Sequence, residues 1–262
     1  IKKQIQKFKP KFFVVNNKVI FKKIKKKFIR SKTTIINKFS DISKNVKFDI
    51  TISSIVGIAG LEPTIFFTKK SKKILIANKE SIICGWHLIK KISKKYKTKI
   101  IPIDSEHFSI YQLTKNYKDN DIKKIYITAS GGPFLKKPLN FFKKAKANDA
   151  AKHPNWKMGK KISIDSSNLM NKVFEVVEAY KLFPFSKNKY DILIHPQSLI
   201  HAIVLFNNGQ CKFLYHETDM RIPIANAIYD NQINIKNVFK SKSNFLNNLQ
   251  HLRLKKSIKK SS

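Results

Sequence analysis

The chain has 262 residues, 42% of them hydrophobic, which is enough for one large or two modest domains with a core and excludes a wholly disordered chain. Its formal charge of +38 would draw polyanions non-specifically. Yet only Arg30, Arg221 and Arg253 among the 54 basic residues are arginine, whereas readers of phosphate and bases favour arginine's planar fork over lysine's hydrated point charge. Lys, Ile, Asn and Phe are all written by A/T-rich codons, so base-composition bias accounts for the charge without a nucleic-acid partner.

In chain order, residues 11–16 read as a short buried strand and 17–31 as a helix with a basic face. Residues 50–57 form a strand that runs into a glycine-containing turn at 57–60, and a helix begins near Pro63, a residue favoured in the first turn. A strand at 74–77, a helix at 79–95 and a strand at 100–103 complete a strand–helix alternation typical of a parallel α/β sheet. Ligands collect at the carboxyl ends of such strands, which singles out Asn78-Lys79-Glu80 and Asp104-Ser105-Glu106.

The second half changes character. A strand at 126–128 opens into a Gly/Pro/Lys-rich loop, and residues 166–182 carry a helical apolar stripe at Leu169, Met170, Val173, Val177 and Tyr180, with Ser166 or Ser167 as cap. Residues 199–206 and 210–215 flank Asn207-Asn208-Gly209, a hairpin signal. Beyond Asp230 the chain turns polar and lysine-rich, as a frayed tail does. The expected organisation is 1–103, 104–230 and a tail at 231–262.

Cys84 and Cys211 lack CxxC spacing, so neither a disulfide framework nor a thiolate metal site is indicated, and a reducing cytoplasm suits them. No apolar run approaches the roughly 20 residues of a membrane helix. The start lacks both Met and the apolar core of a signal peptide, which fits a truncated or processed chain.

Asp104 and Glu106 stand two apart, so in an extended segment both carboxylates project to one side. Such a pair repels unless a cation or proton intervenes. It reads as a site for Mg²⁺ or Mn²⁺, with Co²⁺ a further candidate, or else as a solvated acidic loop. Glu175 lies four residues after Asn171 and three after Lys172, on one helical face. A helix beginning at Ser166 with Lys172 nearby suits a phosphate, though a plain N-cap with surface pairs reads equally well. Ser130-Gly131-Gly132 could add backbone N–H groups. Residues 135–152, followed by His153, Trp156 and Met158, read as a lid closing over a ligand or as a surface loop pinned by one tryptophan. His195 and His201, six apart in an apolar run, match no helical metal spacing and read as satisfied core histidines.

These hints fall in the order found in the 1-deoxy-D-xylulose 5-phosphate reductoisomerase family. Residues 57–64 resemble its GAAGLxPT turn, 77–81 its ANKES motif and 102–107 its P-x-DSEH metal motif. Residues 130–134, 153–156, 158–159, 161–163, 165–166 and 170–172 continue the resemblance, and 195–198 and 219–221 extend it. The resemblance implies an α/β fold: a partial Rossmann-like parallel sheet followed by an α+β catalytic and dimerisation domain. It implies a cytoplasmic homodimer that isomerises and reduces 1-deoxy-D-xylulose 5-phosphate with NADPH and a divalent metal, in non-mevalonate isoprenoid synthesis.

Carried over residue by residue, the resemblance gives Asp104, Glu106 and Glu175 as metal ligands. Lys79, Ser105, Glu106, Ser130, His153, Ser166, Asn171, Lys172 and Glu175 become substrate contacts, with Lys79, Glu106 and His153 catalytic. Asn78, Glu80 and Gly159 are expected at the nicotinamide cofactor, and Trp156 and Met158 in the lid. The chain departs from the family pattern in lacking the Gly-rich GxTGxxG turn that binds the cofactor pyrophosphate. The family's helical C-terminal domain is not recognisable after residue 230. An inactive fragment that keeps the dimerisation domain is therefore the alternative, and a basic nucleic-acid binder a more distant one.

Overall fold

The computed structural model describes residues 1–138, 141, 145–150, 159–238 and 255–256. α1 (Lys2–Phe8), β1 (Phe12–Val14), α2 (Lys18–Lys27) and β2 (Thr34–Ile36) form an N-terminal unit in which the two strands pair in parallel. Asn17 caps α2, its side chain accepting from the Ile20 N–H at 3.0 Å. The lysines of the last turn lie at the negative end of the helix dipole. Ile5, Val15, Ile24 and Ile35 make this unit's own core.

β3 (Phe48–Ser53), α3 (Leu61–Thr68), β4 (Ser71–Ile76), α4 (Lys79–Tyr96) and β5 (Lys99–Pro102) follow, and the strands pair in parallel in the order β3-β4-β5. Ile74, Leu75 and Ile76 of the central strand are fully buried, the continuous apolar run of a parallel strand covered on both faces. α5 (Ser105–Thr114) begins directly after this sheet. The extended acidic segment expected at 104–106 is thus a helix start: only Asp104, the N-cap, keeps extended dihedrals, and Glu106 lies in the first turn. Acidic groups there suit the positive end of the helix dipole.

The second sheet is built on β6 (Ile122–Ala129), whose Ile125 and Ile127 are fully buried. After it come α6 (Ala147–Ala150), α7 (Lys160–Ser167), α8 (Met170–Leu182), β7 (Tyr190–Ile194), β8 (Ile200–Phe206), β9 (Cys211–Tyr215), α9 (Arg221–Ile228) and β10 (Lys255–Lys256). The sheet order is β10-β7-β6-β8-β9, with β6 and β7 parallel and the remaining pairs antiparallel. β8 and β9 are the expected hairpin, and Gly209 takes φ 84° at its turn. The helix expected over 166–182 is two helices, broken at Leu169 with φ 63°. Ser166 therefore lies in the last turn of α7 and does not cap α8. Part of the tail expected to fray, β10, pairs with Leu193 and Ile194.

α5 and α8 pack Ile110 and Ala179 against β6 and β8. Phe108 of α5 and Ala227 of α9 join Leu75 and Ile101 of the first sheet, and Leu182 of α8 reaches the cluster around Ile82 and Ile89 of α4. Burying each such aliphatic side chain contributes roughly 1.5–3 kcal/mol. The packing brings the carboxyl ends of β4 and β5 against α8. Among the described residues, no helix is long and apolar enough to cross a membrane.

Candidate functional site

Asn78 ends the β4 segment and caps α4, accepting from the Ser81 N–H at 2.6 Å while its amide donates to the Ile55 and Gly57 carbonyls. This double role locks the loop after β3 to the start of α4. It aims Lys79, the first helical residue, across to α8. Lys79 Nζ donates to Asn171 Oδ1 at 2.9 Å and lies 3.3 Å from Asp104 Oδ2 and 3.4 Å from Glu175 Oε1. Lys172 Nζ lies 2.8 Å from Glu106 Oε1 and 2.6 Å from Glu175 Oε2. Asn171 donates to Glu175 Oε1 at 2.6 Å, and Ser105 Oγ donates to Glu106 Oε2 at 2.5 Å.

Asp104, Glu106 and Glu175 each offer an oxygen, all within 4.8 Å of one another. Three hard oxygen donors, two at the start of α5 and one within α8, fit a divalent cation such as Mg²⁺, which takes few protein carboxylates and completes its shell with water or substrate oxygens. Burial acts to raise the Glu106 pKa, but the Lys172 charge, with the hydrogen bonds from Lys172 and Ser105, outweighs it and holds the carboxyl below its usual range. For Glu175, burial and the neighbouring Glu106 charge together push it up against Lys172 and Lys79. Lys79 and Lys172 would lose their protons more easily for being buried, yet the surrounding acids hold both ammoniums above the usual lysine range.

These groups line a cavity of about 350 Å³. Ser105, Ser130, Gly131, Gly132, Gly159, Ser166, Asn171 and Lys172 line it too. The backbone at Gly132 comes so close to α7 that a Cβ there would stand 2.3 Å from the Ser166 carbonyl oxygen, at φ 70°. Asn78 and Glu80 instead line an adjoining cleft with Ser54, Ile55, Val56 and Asp165. That small cleft lies at the carboxyl ends of β3 and β4 and includes Lys79. Nearby, Gly60 admits close backbone approach: a Cβ there would lie 2.5 Å from the Ile55 carbonyl. His153, Trp156 and Met158 lie outside the described residues.

Sequence reasoning missed several lining residues. His201 is buried, as expected, but it forms part of the cavity wall and stacks on His216 at 3.8 Å between ring centroids. Burial, with the His216 charge, pushes its pKa down to about 3, so the ring is neutral at ordinary pH. Ser198 and Leu169 line the cavity with left-handed backbones, φ 56° and 63°. Non-glycine residues in that conformation concentrate at functional sites, but no spacing rule announces them. Met220 completes the wall from the loop before α9.

A model of the 1-deoxy-D-xylulose 5-phosphate reductoisomerase family matches residues 1–85, and a model of the C-terminal domain of 1-deoxy-D-xylulose 5-phosphate reductoisomerase matches residues 100–183. The 1-deoxy-D-xylulose 5-phosphate reductoisomerase of Pelagibacter ubique is 49% identical over 258 residues, 97% of this chain and 66% of the relative. That of Francisella tularensis subsp. novicida is 44% identical over 86% of this chain and 59% of the relative. Among solved structures, DOX-P reductoisomerase in complex with NADPH, fosmidomycin and magnesium superposes with TM-score 0.85 at 33% identity, covering 96% of this chain and 64% of that one. The Zymomonas mobilis reductoisomerase in complex with NADPH gives 0.84 at 28% identity, covering 97% and 65%. The chain thus spans 59 to 66% of the length of these relatives.

Proposed function

The chain belongs to the 1-deoxy-D-xylulose 5-phosphate reductoisomerase family, and we propose that it carries the catalytic part of an NADPH- and divalent-metal-dependent conversion of 1-deoxy-D-xylulose 5-phosphate to 2-C-methyl-D-erythritol 4-phosphate. The observation that carries this reading is the convergence of Asp104, Glu106 and Glu175 within 4.8 Å beside Lys79, at the mouth of the cleft between the two sheets. When bound, the cation supplies Lewis acidity and NADPH supplies the hydride.

The chain's own residues bind, orient and polarise. Asp104, Glu106 and Glu175 would hold the cation. The acids around Lys79 favour its ammonium form, in which it would serve as a positive charge and hydrogen-bond donor. Ser130, Ser166 and Asn171 line the cavity and would donate to a phosphate there, and Lys172, which also lines it, pairs with Glu106 at 2.8 Å. Asn78, Glu80 and Gly159 would contact the cofactor. A cytoplasmic homodimer fits two features: Cys84 and Cys211 are free thiols, and β9 pairs on one side only among the described residues, with Phe213 exposed.

The test is to purify the 262-residue chain and follow NADPH oxidation with 1-deoxy-D-xylulose 5-phosphate and Mg²⁺ or Mn²⁺. Turnover that needs both metal and substrate, and that Glu175→Gln abolishes, is the expected result. Weak or absent NADPH binding despite the intact carboxylates would favour the second reading, an inactive fragment.

A further inference from the structure

Behind the three carboxylates lies a second buried pair that this reading leaves unused. His107 follows Asp104 by three residues on α5, and Glu178 follows Glu175 by three on α8, so each stands one turn behind a cation-facing acid. Both side chains are almost wholly buried, at 0% and 1% exposure. His107 Nε2 meets the backbone carbonyl of Glu175 at 2.9 Å; a carbonyl only accepts, so this nitrogen is the donor. The other nitrogen, Nδ1, lies 3.6 Å from Glu178 Oε2 and 3.8 Å from Asp104 Oδ2. Neither Nδ1 nor that Glu178 oxygen has a hydrogen-bond partner among the described residues. Phe183 lies parallel to the ring, 6.4 Å away.

One imidazole therefore touches the backbone that carries one metal-site acid and faces the carboxylate of another. A buried nitrogen and a buried carboxylate oxygen left without partners are costly, and a fold that keeps them has a use for their placement. We infer that His107 and Glu178 are positioning residues: the ring, backed by Glu178, fixes the α8 turn bearing Glu175 and the carboxylate of Asp104 at the spacing a divalent cation requires. This rests on the cation reading proposed above. Partners that orient a metal's ligands from behind are worth roughly 10–100-fold in metal affinity when removed.

The experiment titrates Mn²⁺ by electron paramagnetic resonance into the 262-residue chain and into His107→Phe, His107→Gln and Glu178→Gln, with circular dichroism confirming the fold. One ion per chain is expected, with affinity weakened roughly 10–100-fold in His107→Phe. His107→Gln, whose amide can again donate to the Glu175 carbonyl, recovers part of it. Unchanged affinity in a folded His107→Phe overturns the inference, and if that variant fails to fold, weaker or unchanged binding by Glu178→Gln decides it in the same sense. Two ions per chain, falling to one in His107→Phe with the remaining affinity unchanged, would make Asp104, His107 and Glu178 a second cation site and overturn the positioning role. No uptake by the unaltered chain removes the cation reading itself, and the inference with it.

Discussion

Lys79 and Lys172 are each shared between carboxylates, so the centre holds three acids against two ammoniums. That imbalance leaves a net negative site in a chain with a formal charge of +38. The spacing of Asp104 and Glu106 hinted at this chemistry, and scarcity of acids made the hint stronger, but nothing local tied either to Glu175, 69 residues beyond Glu106 in the sequence. His201 and Ser198 were harder still, because an apolar strand context looks the same whether its far end faces a core or a cavity. Gly132 shows what one atom decides here. Its φ of 70° and the Ser166 carbonyl behind it leave no room for a Cβ. Gly132→Ala should cost more than about 1 kcal/mol and weaken binding of a phosphate-bearing ligand, checked by urea unfolding and by calorimetric titration of the substrate.

At the scale of elements, two contacts carry more than their length suggests. Asn78 caps α4 and ties down the loop after β3 with the same side chain. Asn78→Ala should lower stability by about 1–2 kcal/mol, the usual cost of a lost cap. It should also weaken NADPH binding, since the adjoining cleft runs along that loop; fluorescence titration measures the second effect. Asp119, in the short turn before β6, accepts from the Ser186 N–H at 2.8 Å and its hydroxyl at 2.7 Å, with Lys189 3.0 Å away. The Ser186 backbone bond, then the Ser186 hydroxyl and Lys189, hold its pKa down to about 2 from an ordinary 3.8. Because the folded value lies below the unfolded one, the contribution is present above about pH 4 and fades as pH falls towards 2. Asp119→Asn should therefore melt lower than the unaltered chain at pH 7, with the gap closing towards pH 2.5; an equal gap at both would contradict this.

The same scale shows where reading the sequence stops. The parallel strands β3, β4 and β5 were legible as apolar runs bounded by helix starts, and the β8–β9 hairpin from Asn-Asn-Gly. The break between α7 and α8 was not, since the apolar spacing runs through Leu169 and Met170 undisturbed while the backbone turns. β2 and β7 are short apolar segments that periodicity alone cannot tell from buried helix.

For the molecule as a whole, charge is the dominant long-range term. With 54 basic residues against 16 acidic ones, most of the basic groups have no acid to pair with, and their mutual repulsion opposes the compact state. Salt screens such repulsion beyond about 10 Å at 0.1 M. The melting temperature should accordingly rise by several degrees as NaCl is raised, and a fall would mean that attractive surface pairs prevail. Contacts between the sheets resist separation: Lys73 of β4 donates to the Ala227 and Ile228 carbonyls and pairs with Asp230 at 2.8 Å, pinning the end of α9 to the first sheet.

The sequence by itself determined the elements whose information is local: the apolar strands of the first sheet, the helix beginning at Lys79, the hairpin turn and the motifs that carry the family resemblance. Those signals depend on neighbours within a few residues, where sterics and hydrogen bonding act directly. Only the tertiary structure decided that Lys79, Asp104 and Glu175 meet from three separate elements, that His201 walls the cavity, and that His107 and Glu178 stand behind the carboxylates. Such juxtapositions are set by how two sheets and α8 pack, and packing is a property of the whole chain that no short window contains.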